Sequence, residues 1–213
     1  MQYLPVFEMF YSVQGEGRNV GMAAYFIRLA GCNVGCGFCD EKSAWNKDNS
    51  KLMTVEEIVN QVITSRAENI VMTGGEPTMY DLTELTQCLC KQGIKTYLET
   101  SGTNVITGTW NWITLSPKQS KLPLEESLHM ADEIKVVIAN RQDFLFAEQI
   151  CHKVVQYGTD AGQPQADKHI NKCFYLQPEY FRQATILPEI IEYIKQNPVW
   201  RLSLQTHKMI NVK

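Results

Sequence analysis

The sequence contains no long apolar run, no excess of one charge sign and no export signal, and each absence excludes a class of protein. Its longest apolar stretches, such as residues 23–30, fall well short of the ~20 residues that a membrane helix needs. Lysine and arginine number 20 against 23 acidic residues, so we expect no nucleic-acid partner. No basic region followed by an apolar segment opens the chain, which predicts a cytoplasmic protein with no signal peptide and no membrane partner.

The seven cysteines do not match a disulfide framework of the secreted type, which is usually even in number and denser. Three of them crowd into eight residues and four are scattered, so we expect reduced thiols, with three committed to a metal. The chain has 213 residues, of which 44% are apolar and 20% charged. This length and composition predict one globular domain over residues 1–213.

Short β-rich runs alternate with amphipathic helical runs along the chain. Strands are predicted at residues 24–30, 69–73, 94–99, 112–115, 133–138, 173–176 and 200–205. Helices are predicted at residues 55–65, 81–91, 142–151 and 182–196, and a capping box at Thr54 and Glu57 opens the first. The polar segment 156–171 is predicted to be a loop. This order predicts an α/β fold, a partial (open) parallel α/β barrel, because the strands are fewer than the eight of a closed barrel.

Polar segments follow four of the predicted strands at the point where each strand ends. They are Thr-Gly-Gly-Glu-Pro at 73–77, Glu-Thr-Ser-Gly at 99–102, Ser-Pro-Lys at 116–118 and Gln-Pro at 177–178. Ligands bind at the carboxyl ends of parallel strands, so we expect these segments to meet at one mouth. Alone, Gly-Gly-Glu-Pro is more typical of an ordinary turn, and each single polar residue is as typical of a solvated loop, so the prediction depends on the recurrence of these segments.

Cys32, Cys36 and Cys39 have the spacing C-x3-C-x2-C in a glycine-rich loop after the first predicted barrel strand. Thiolates are the usual ligands of iron–sulfur clusters, and three of them on a [4Fe–4S] cluster leave one iron open, as in a catalytic site. A zinc site is a weaker alternative, because no histidine lies near the loop. A redox pair of Cys36 and Cys39 is weaker still, because it leaves Cys32 unexplained. The pattern alone therefore predicts an open iron site and does not identify its occupant.

The cysteine spacing, with the aromatic Phe38 before the last cysteine, resembles the signature of the radical S-adenosylmethionine superfamily. The resemblance implies that the open iron binds S-adenosylmethionine, whose cleavage yields a 5′-deoxyadenosyl radical. Gly74-Gly75-Glu76-Pro77 resembles a second motif of the superfamily, in which Glu76 would accept hydrogen bonds from an ammonium group. The implied cofactor contacts are Phe38, Asp40, Gly74, Gly75, Glu76, Ser101, Ser116, Pro117, Lys118 and Gln177.

Two further segments narrow the resemblance. Phe10-Tyr-Ser-Val-Gln-Gly-Glu-Gly17 precedes the cysteine loop, and Trp200-Arg-Leu-Ser-Leu-Gln-Thr-His207 follows the last predicted helix. With the strand-end segments, they resemble the 7-carboxy-7-deazaguanine synthase family. The resemblance implies a homodimer that receives electrons from a donor such as a flavodoxin. It also implies a ring contraction of 6-carboxy-5,6,7,8-tetrahydropterin with loss of ammonia, in 7-deazaguanine and queuosine biosynthesis.

The substrate side follows partly from the chemistry of the pterin. Arg28 can bind the substrate carboxylate bidentately, and Gln14 and Glu16 can hydrogen-bond the ring edge. His207 and Glu16 are the predicted catalytic residues, although a structural histidine and a surface turn glutamate would explain them without the resemblance. Lys213 is included because the resemblance implies that the terminal carboxylate reaches the pocket. The predicted substrate contacts are Val13, Gln14, Gly15, Glu16, Arg28, Thr73, His207 and Lys213.

One position departs from the family pattern. The family has Cys-Asp-Thr after the cluster, where the threonine contributes to a magnesium site, whereas this chain has Cys39-Asp40-Glu41. Magnesium prefers oxygen ligands and accepts carboxylates, so Glu41 is a candidate ligand. Alternatively, the carboxylate of Glu41 or the ammonium group of Lys42 replaces the ion's electrostatic role, which predicts weak dependence on magnesium.

Two other functions compete with this interpretation. A glycyl-radical-enzyme activase would need a protein partner and no pterin pocket, and Gln14, Glu16 and His207 argue against it. A non-enzymatic iron–sulfur electron carrier, or a zinc-stabilised binding module, would need no open iron. The spectrum of a carrier's cluster would not respond to S-adenosylmethionine.

Overall fold

The computed structural model describes residues 2–160 and 172–213, and of residues 156–160 it describes the backbone alone. The strands in this part of the chain are β1 (Tyr3–Val13), β2 (Ala23–Leu29), β3 (Lys51–Thr54), β4 (Asn69–Gly74), β5 (Lys95–Thr100), β6 (Trp112–Leu115), β7 (Glu133–Ile138), β8 (Cys173–Pro178) and β9 (Trp200–Leu202). The α-helices are α1 (Val55–Ser65), α2 (Thr83–Lys91), α3 (Glu125–Met130), α4 (Gln142–Asp160), α5 (Gln183–Gln196) and α6 (Thr206–Met209).

These strands form one sheet in the order β3-β1-β2-β4-β5-β6-β7-β8-β9. The neighbours from β2 to β9 pair in parallel, whereas β1 is antiparallel to both β2 and β3. β3 and β9 stand at the two ends of this order, and the described strands do not close into a ring. The prediction of an open, mostly parallel α/β barrel is therefore confirmed.

All seven predicted strands and all four predicted helices are present, and β1, β3, α3 and α6 are additions that the sequence pattern did not predict. β9 ends at Leu202, before the predicted end at residue 205. α4 continues past its predicted end at residue 151 to Asp160. The predicted loop at 156–171 is therefore wrong for residues 156–160, and the rest of that segment lies outside the described residues.

The helices and the sheet share one apolar core that holds the strand ends in place. α1 begins with the predicted capping box, because Thr54 Oγ1 accepts a hydrogen bond from Glu57 N at 3.1 Å while the Glu57 carboxylate accepts one from Thr54 N at 2.8 Å. Ile58 and Val62, on the inner face of α1, are fully buried, and burial of each is worth about 1.5–3 kcal/mol. Among the described residues, no helix combines the length and apolar character needed to cross a membrane.

Candidate active site

A cavity of about 280 Å³ opens at the carboxyl ends of the parallel strands. It is bounded by the loop after β2, by the ends of β4, β5 and β8, by the segment after β6 and by the turn between β1 and β2. Every residue predicted as a cofactor, substrate or metal contact lines this cavity except Pro117. Pro117 is buried between two residues that do, Ser116 and Lys118. The expectation of one shared mouth is thus met by the geometry.

The cysteine loop and the double-glycine loop are joined through their backbones. Gly75 N donates to Leu29 O at 2.9 Å, and Glu76 N donates to Gly31 O at 2.8 Å. A Cβ atom at Gly75 would lie 2.3 Å from Gly31 O and 2.9 Å from the Cβ of Cys32, so only glycine fits at this position. The position of Cys32 therefore depends on the second motif as well as on its own loop.

The donor set of the cysteine loop fits an iron–sulfur cluster better than a single ion. Cys32, Cys36 and Cys39 are free, half-buried thiols that all line the cavity. In the described part of the chain, no three Cys, His, Asp or Glu side chains are arranged to hold one metal ion. A four-iron cluster binds each thiolate through a different iron, and such clusters are held by cysteines. Trp45 Nε1 donates to Cys39 Sγ at 3.3 Å, the kind of contact that tunes a cluster ligand.

The Glu76 carboxylate is already committed within the protein. It is 1% exposed and accepts hydrogen bonds from Thr78 N at 3.1 Å, Thr78 Oγ1 at 2.6 Å and Ser101 N at 2.8 Å, and from the hydroxyls of Thr100 and Ser101. The predicted contact with an ammonium group thus finds no open acceptor on this side chain. The carboxylate instead ties the end of β4 to the end of β5, and the Ser101 hydroxyl takes part in the same network.

Lys118 places a cation next to the cysteine loop. Its Nζ donates to Ser116 Oγ at 2.5 Å and lies 5.7 Å from the centre of the Phe38 ring. Burial lowers the pKa of Lys118, while the nearby Cys36 acts in the opposite direction. The side chain of Gln177, also predicted, accepts a hydrogen bond from Ser203 Oγ at 2.8 Å. These groups line the cavity after β6 and at the end of β8.

A buried cation that sequence reasoning missed lies at the centre of the substrate side. Lys135, on β7, is 3% exposed and forms ion pairs with Glu16 and, at 3.5 Å, with Glu99. Gln14 Nε2 donates to Glu99 Oε1 at 2.7 Å, and Gln205 Nε2 donates to Glu16 Oε1 at 2.7 Å. Two carboxylates, one ammonium group and two amides therefore face the same cavity.

The charges of this network stabilise one another against burial. Burial alone would raise the pKa of Glu16, but the charge and hydrogen bond of Lys135 outweigh it and lower that pKa. Burial alone would lower the pKa of Lys135, but Glu16 and Glu99 outweigh it and raise that pKa. Glu16 and Lys135 are therefore both ionised at neutral pH.

A third carboxyl group, Glu133, lies behind this network and outside the cavity. It is 1% exposed, and its Oε2 accepts hydrogen bonds from Arg18 N at 3.0 Å and Trp112 Nε1 at 3.3 Å. Its Oε1 has no hydrogen-bond partner among the described residues. Burial raises the pKa of Glu133 to about 7, although Lys135 acts against it.

Arg28 lines the cavity near the end of β2, where Thr73 is its partner in the pairing of β2 with β4. Its Nε donates to Glu8 Oε1 at 2.9 Å, and Glu8 Oε2 forms an ion pair with Lys213 Nζ at 2.5 Å. The Lys213 ammonium group also lies 4.8 Å from the centre of the Phe10 ring. The structure thus brings the predicted residues Arg28 and Lys213 together through Glu8, which the sequence did not single out.

His207 and Asp40 close the cavity on the side of α6. His207 packs against the turn after β1, where a Cβ at Gly15 would lie 2.2 Å from His207 Nδ1. Burial lowers the pKa of His207, so its imidazole is neutral at neutral pH. Asp40 Oδ2 accepts hydrogen bonds from Gln205 Nε2 at 3.1 Å and Lys208 Nζ at 2.7 Å. Its carboxylate is therefore held by the segment that carries His207.

Glu41 lines the cavity next to Asp40, at the start of the single turn Lys42–Trp45. Its side chain does not cap that turn, and it forms no ion pair within the described residues. A carboxylate with these surroundings is open to a cation. Lys42, the alternative, lies 5.9 Å over the Trp45 ring.

Comparisons with known proteins agree with this arrangement. The family model described as the Radical SAM superfamily matches residues 26–107. The protein of Flavobacterium psychrophilum named 7-carboxy-7-deazaguanine synthase is 43% identical over 99% of this chain and 93% of its own length. A Synechocystis protein of the same name is 42% identical over 98% of this chain and 93% of its own length. The crystal structure of QueE from Escherichia coli has a TM-score of 0.79 at 31% identity, covering 95% of this chain and 94% of that one.

The similarity extends beyond the cysteine loop to both segments that form the substrate side. It lends no support to the activase or the electron carrier. The chain therefore belongs to the 7-carboxy-7-deazaguanine synthase family, within the radical S-adenosylmethionine superfamily.

Proposed function

We propose that this protein converts 6-carboxy-5,6,7,8-tetrahydropterin to 7-carboxy-7-deazaguanine and ammonia, as a carbon–nitrogen lyase of 7-deazaguanine and queuosine biosynthesis. One observation supports the proposal: the cysteine loop, the cation Arg28 and the carboxylates of Glu16 and Glu99 line a single cavity. Family membership points to the same reaction, because the relatives carry the name of the product.

When bound, the [4Fe–4S] cluster supplies the electron that cleaves S-adenosylmethionine to the radical which removes hydrogen from the pterin. Cys32, Cys36 and Cys39 would hold the cluster. Because the Glu76 carboxylate is occupied, the main chain of Gly74 to Glu76 would accept the hydrogen bonds of the cofactor's ammonium group. Lys118 would pair with the cofactor's carboxylate, since its Nζ lies beside the cysteine loop.

The substrate side matches the chemistry of a carboxylated pterin. Arg28 would bind the carboxylate, and the carboxylates of Glu16 and Glu99 would accept hydrogen bonds from the N–H donors of the pyrimidine edge. Two acceptors this close would repel each other without a counter-charge, and Lys135 supplies it. We assign the catalytic roles to Glu16, whose carboxylate would hold the pterin by its pyrimidine edge, and to His207, whose neutral imidazole can donate or accept a proton at the reacting ring.

Glu41 is our proposed origin of a weak dependence on magnesium. Its carboxylate stands where the family has threonine, and no ion pair in the described residues engages it. The carboxylate would bind magnesium directly, or its charge would make the ion dispensable. Activity that disappears in chelator and returns only with magnesium would reject the hypothesis that the charge of Glu41 makes the ion dispensable. A homodimer, a flavodoxin-like donor and a cytoplasmic location stay predictions of the family resemblance.

Anaerobic turnover by the reconstituted, reduced enzyme tests the reaction. We expect equal amounts of the deazapurine and ammonia, with no net consumption of S-adenosylmethionine. Arg28→Met should raise the KM for the pterin through a loss of about 2–5 kcal/mol of binding free energy, because it removes the partner of a buried carboxylate. An enzyme that cleaves S-adenosylmethionine but leaves the pterin unchanged would reject the proposed substrate and leave the superfamily assignment standing.

A further inference from the structure

Glu8 lies directly opposite Arg28 in the antiparallel pairing of β1 with β2. It belongs to none of the sequence motifs. Its two oxygens hold two different cations, Oε1 accepting from Arg28 Nε at 2.9 Å and Oε2 pairing with Lys213 Nζ at 2.5 Å. The side chains of Arg28 and Glu8 are 21% and 19% exposed, so this pair is well shielded from water.

The hydrogen bond from Nε leaves the outer edge of the Arg28 guanidinium unused. A guanidinium has five N–H donors in a rigid plane, and its two terminal nitrogens match the two oxygens of a carboxylate. In the described residues these terminal nitrogens make no hydrogen bond, while Arg28 itself lines the cavity. Glu8 therefore restrains the guanidinium at the one nitrogen that a bidentate ligand does not need.

The two cations around Glu8 keep its carboxylate ionised. Burial alone would raise the pKa of Glu8, but its bonds to Lys213 and Arg28 outweigh it and lower that pKa, so the group is ionised at neutral pH. Arg28 is therefore paired with a carboxylate that stays charged and that Lys213 holds from its other side. Ser12 Oγ donates to Lys213 O at 2.5 Å, so β1 anchors Lys213 through its backbone as well.

We propose that Glu8 is a positioning residue for substrate recognition, holding Arg28 by Nε so that its terminal nitrogens receive the substrate carboxylate. This inference rests on the proposed function and adds to it the residue that orients the carboxylate-binding cation. Glu8 acts through Arg28 and does not itself contact the pterin.

Glu8→Ala, Glu8→Gln and Glu8→Asp test this role in the reconstituted enzyme with S-adenosylmethionine bound. The ligands are 6-carboxy-5,6,7,8-tetrahydropterin and 6-methyl-5,6,7,8-tetrahydropterin, which lacks the carboxylate. Glu8→Ala should weaken binding of the carboxylated pterin by about tenfold or more and leave the methyl analogue unchanged. Glu8→Gln should stay within about threefold of the wild type, because its amide oxygen still accepts from Arg28 Nε. Glu8→Asp should bind the carboxylated pterin more weakly than the wild type, because its shorter side chain cannot reach both cations.

Glu189→Ala is the matched control, since it breaks another pair between a glutamate and an arginine Nε (Arg141, 2.7 Å) on the surface, outside the cavity. It should bind both pterins as the wild type does. Equal weakening of both pterins by Glu8→Ala, or no weakening of either, would overturn the proposal. If Glu8→Ala does not fold, the affinities of the other two variants for the carboxylated pterin decide. Weaker binding by Glu8→Gln than by Glu8→Asp would overturn the proposal. A wild type that binds neither pterin would instead reject the proposed function.

Discussion

The cofactor side and the substrate side of the cavity are built in different ways. On the cofactor side, Glu76 is held by a neighbour close in sequence, Thr78, and by Ser101 at the end of the adjacent strand, and Asp40 is the exception, held by Gln205 and Lys208. On the substrate side, charged groups are held by partners far along the chain, and Lys135 and Glu16 are 119 residues apart. The cofactor side therefore consists mainly of loops at the ends of neighbouring strands, whereas the substrate side joins residues from distant strands of the sheet.

The difference also appears in the charges. The cofactor side buries one carboxylate, Glu76, that neutral donors satisfy completely. The substrate side gathers the partly buried Glu16 and Glu99 and the fully buried Glu133 around one buried lysine. Removal of one partner from such a group leaves uncompensated buried charge, whereas removal of a neutral donor does not. We thus expect the substrate side to be far more sensitive to substitution of its central residue.

Lys135→Met should have the largest effect on stability. It leaves Glu16 and Glu99 without their cation, which should cost about 3–5 kcal/mol of unfolding free energy and abolish pterin binding. Arg141→Met is the control, because its pair with Glu189 is exposed and should cost about 0–1 kcal/mol. Urea unfolding of both variants measures the difference. Similar losses in the two variants would mean that the buried network is not held by its cation.

The cofactor side could be predicted from sequence because its signals are contiguous. The cysteine spacing and the polar strand ends each stand within a few residues, and parallel strands buried on both faces read as apolar runs. The hydrogen-bond partners of Glu76 were not predicted, because nothing in Gly-Gly-Glu-Pro shows that Thr78 and Ser101 donate to its carboxylate. Such a contact depends on the approach of two strand ends.

The substrate side was predicted only in part, for the same physical reason. Lys135 lies inside an apolar strand, and the only signal was an ionisable residue where burial on both faces was expected. Its partners come from the turn after β1 and from the end of β5. β1 itself was missed because Pro5 and Glu8 interrupt its apolar pattern, and β3 because it has four residues with Lys51 and Leu52 exposed. Without β1, the partner of Arg28 could not be predicted.

Glu133→Gln should change how the stability of the protein depends on pH, because it removes the buried carboxyl group whose pKa is raised. The pKa of Glu133 rises from 4.5 to about 7 on folding, so the folded state binds the extra proton between these values. Wild-type stability should therefore fall as pH rises from 4.5 to 7, by an amount on the order of 3 kcal/mol. The variant lacks this loss of stability. The difference in thermal midpoint, variant minus wild type, should therefore be larger at pH 8 than at pH 5. An equal difference at the two pH values would contradict a raised pKa.

The cofactor side should respond most to a change in close packing, and Gly75→Ala tests this. The added Cβ would meet Gly31 O at 2.3 Å, so one loop must move away from the other, at a cost of about 1–3 kcal/mol. Gly37→Ala is the matched control in the cysteine loop, because nothing lies within 4 Å of its added Cβ. After anaerobic reconstitution, Gly75→Ala should hold less iron per chain than Gly37→Ala, which should match the wild type. Equal iron contents would mean that the cysteine loop holds its cluster without support from the double-glycine loop, and the cofactor side would then be even more local than its hydrogen bonds indicate.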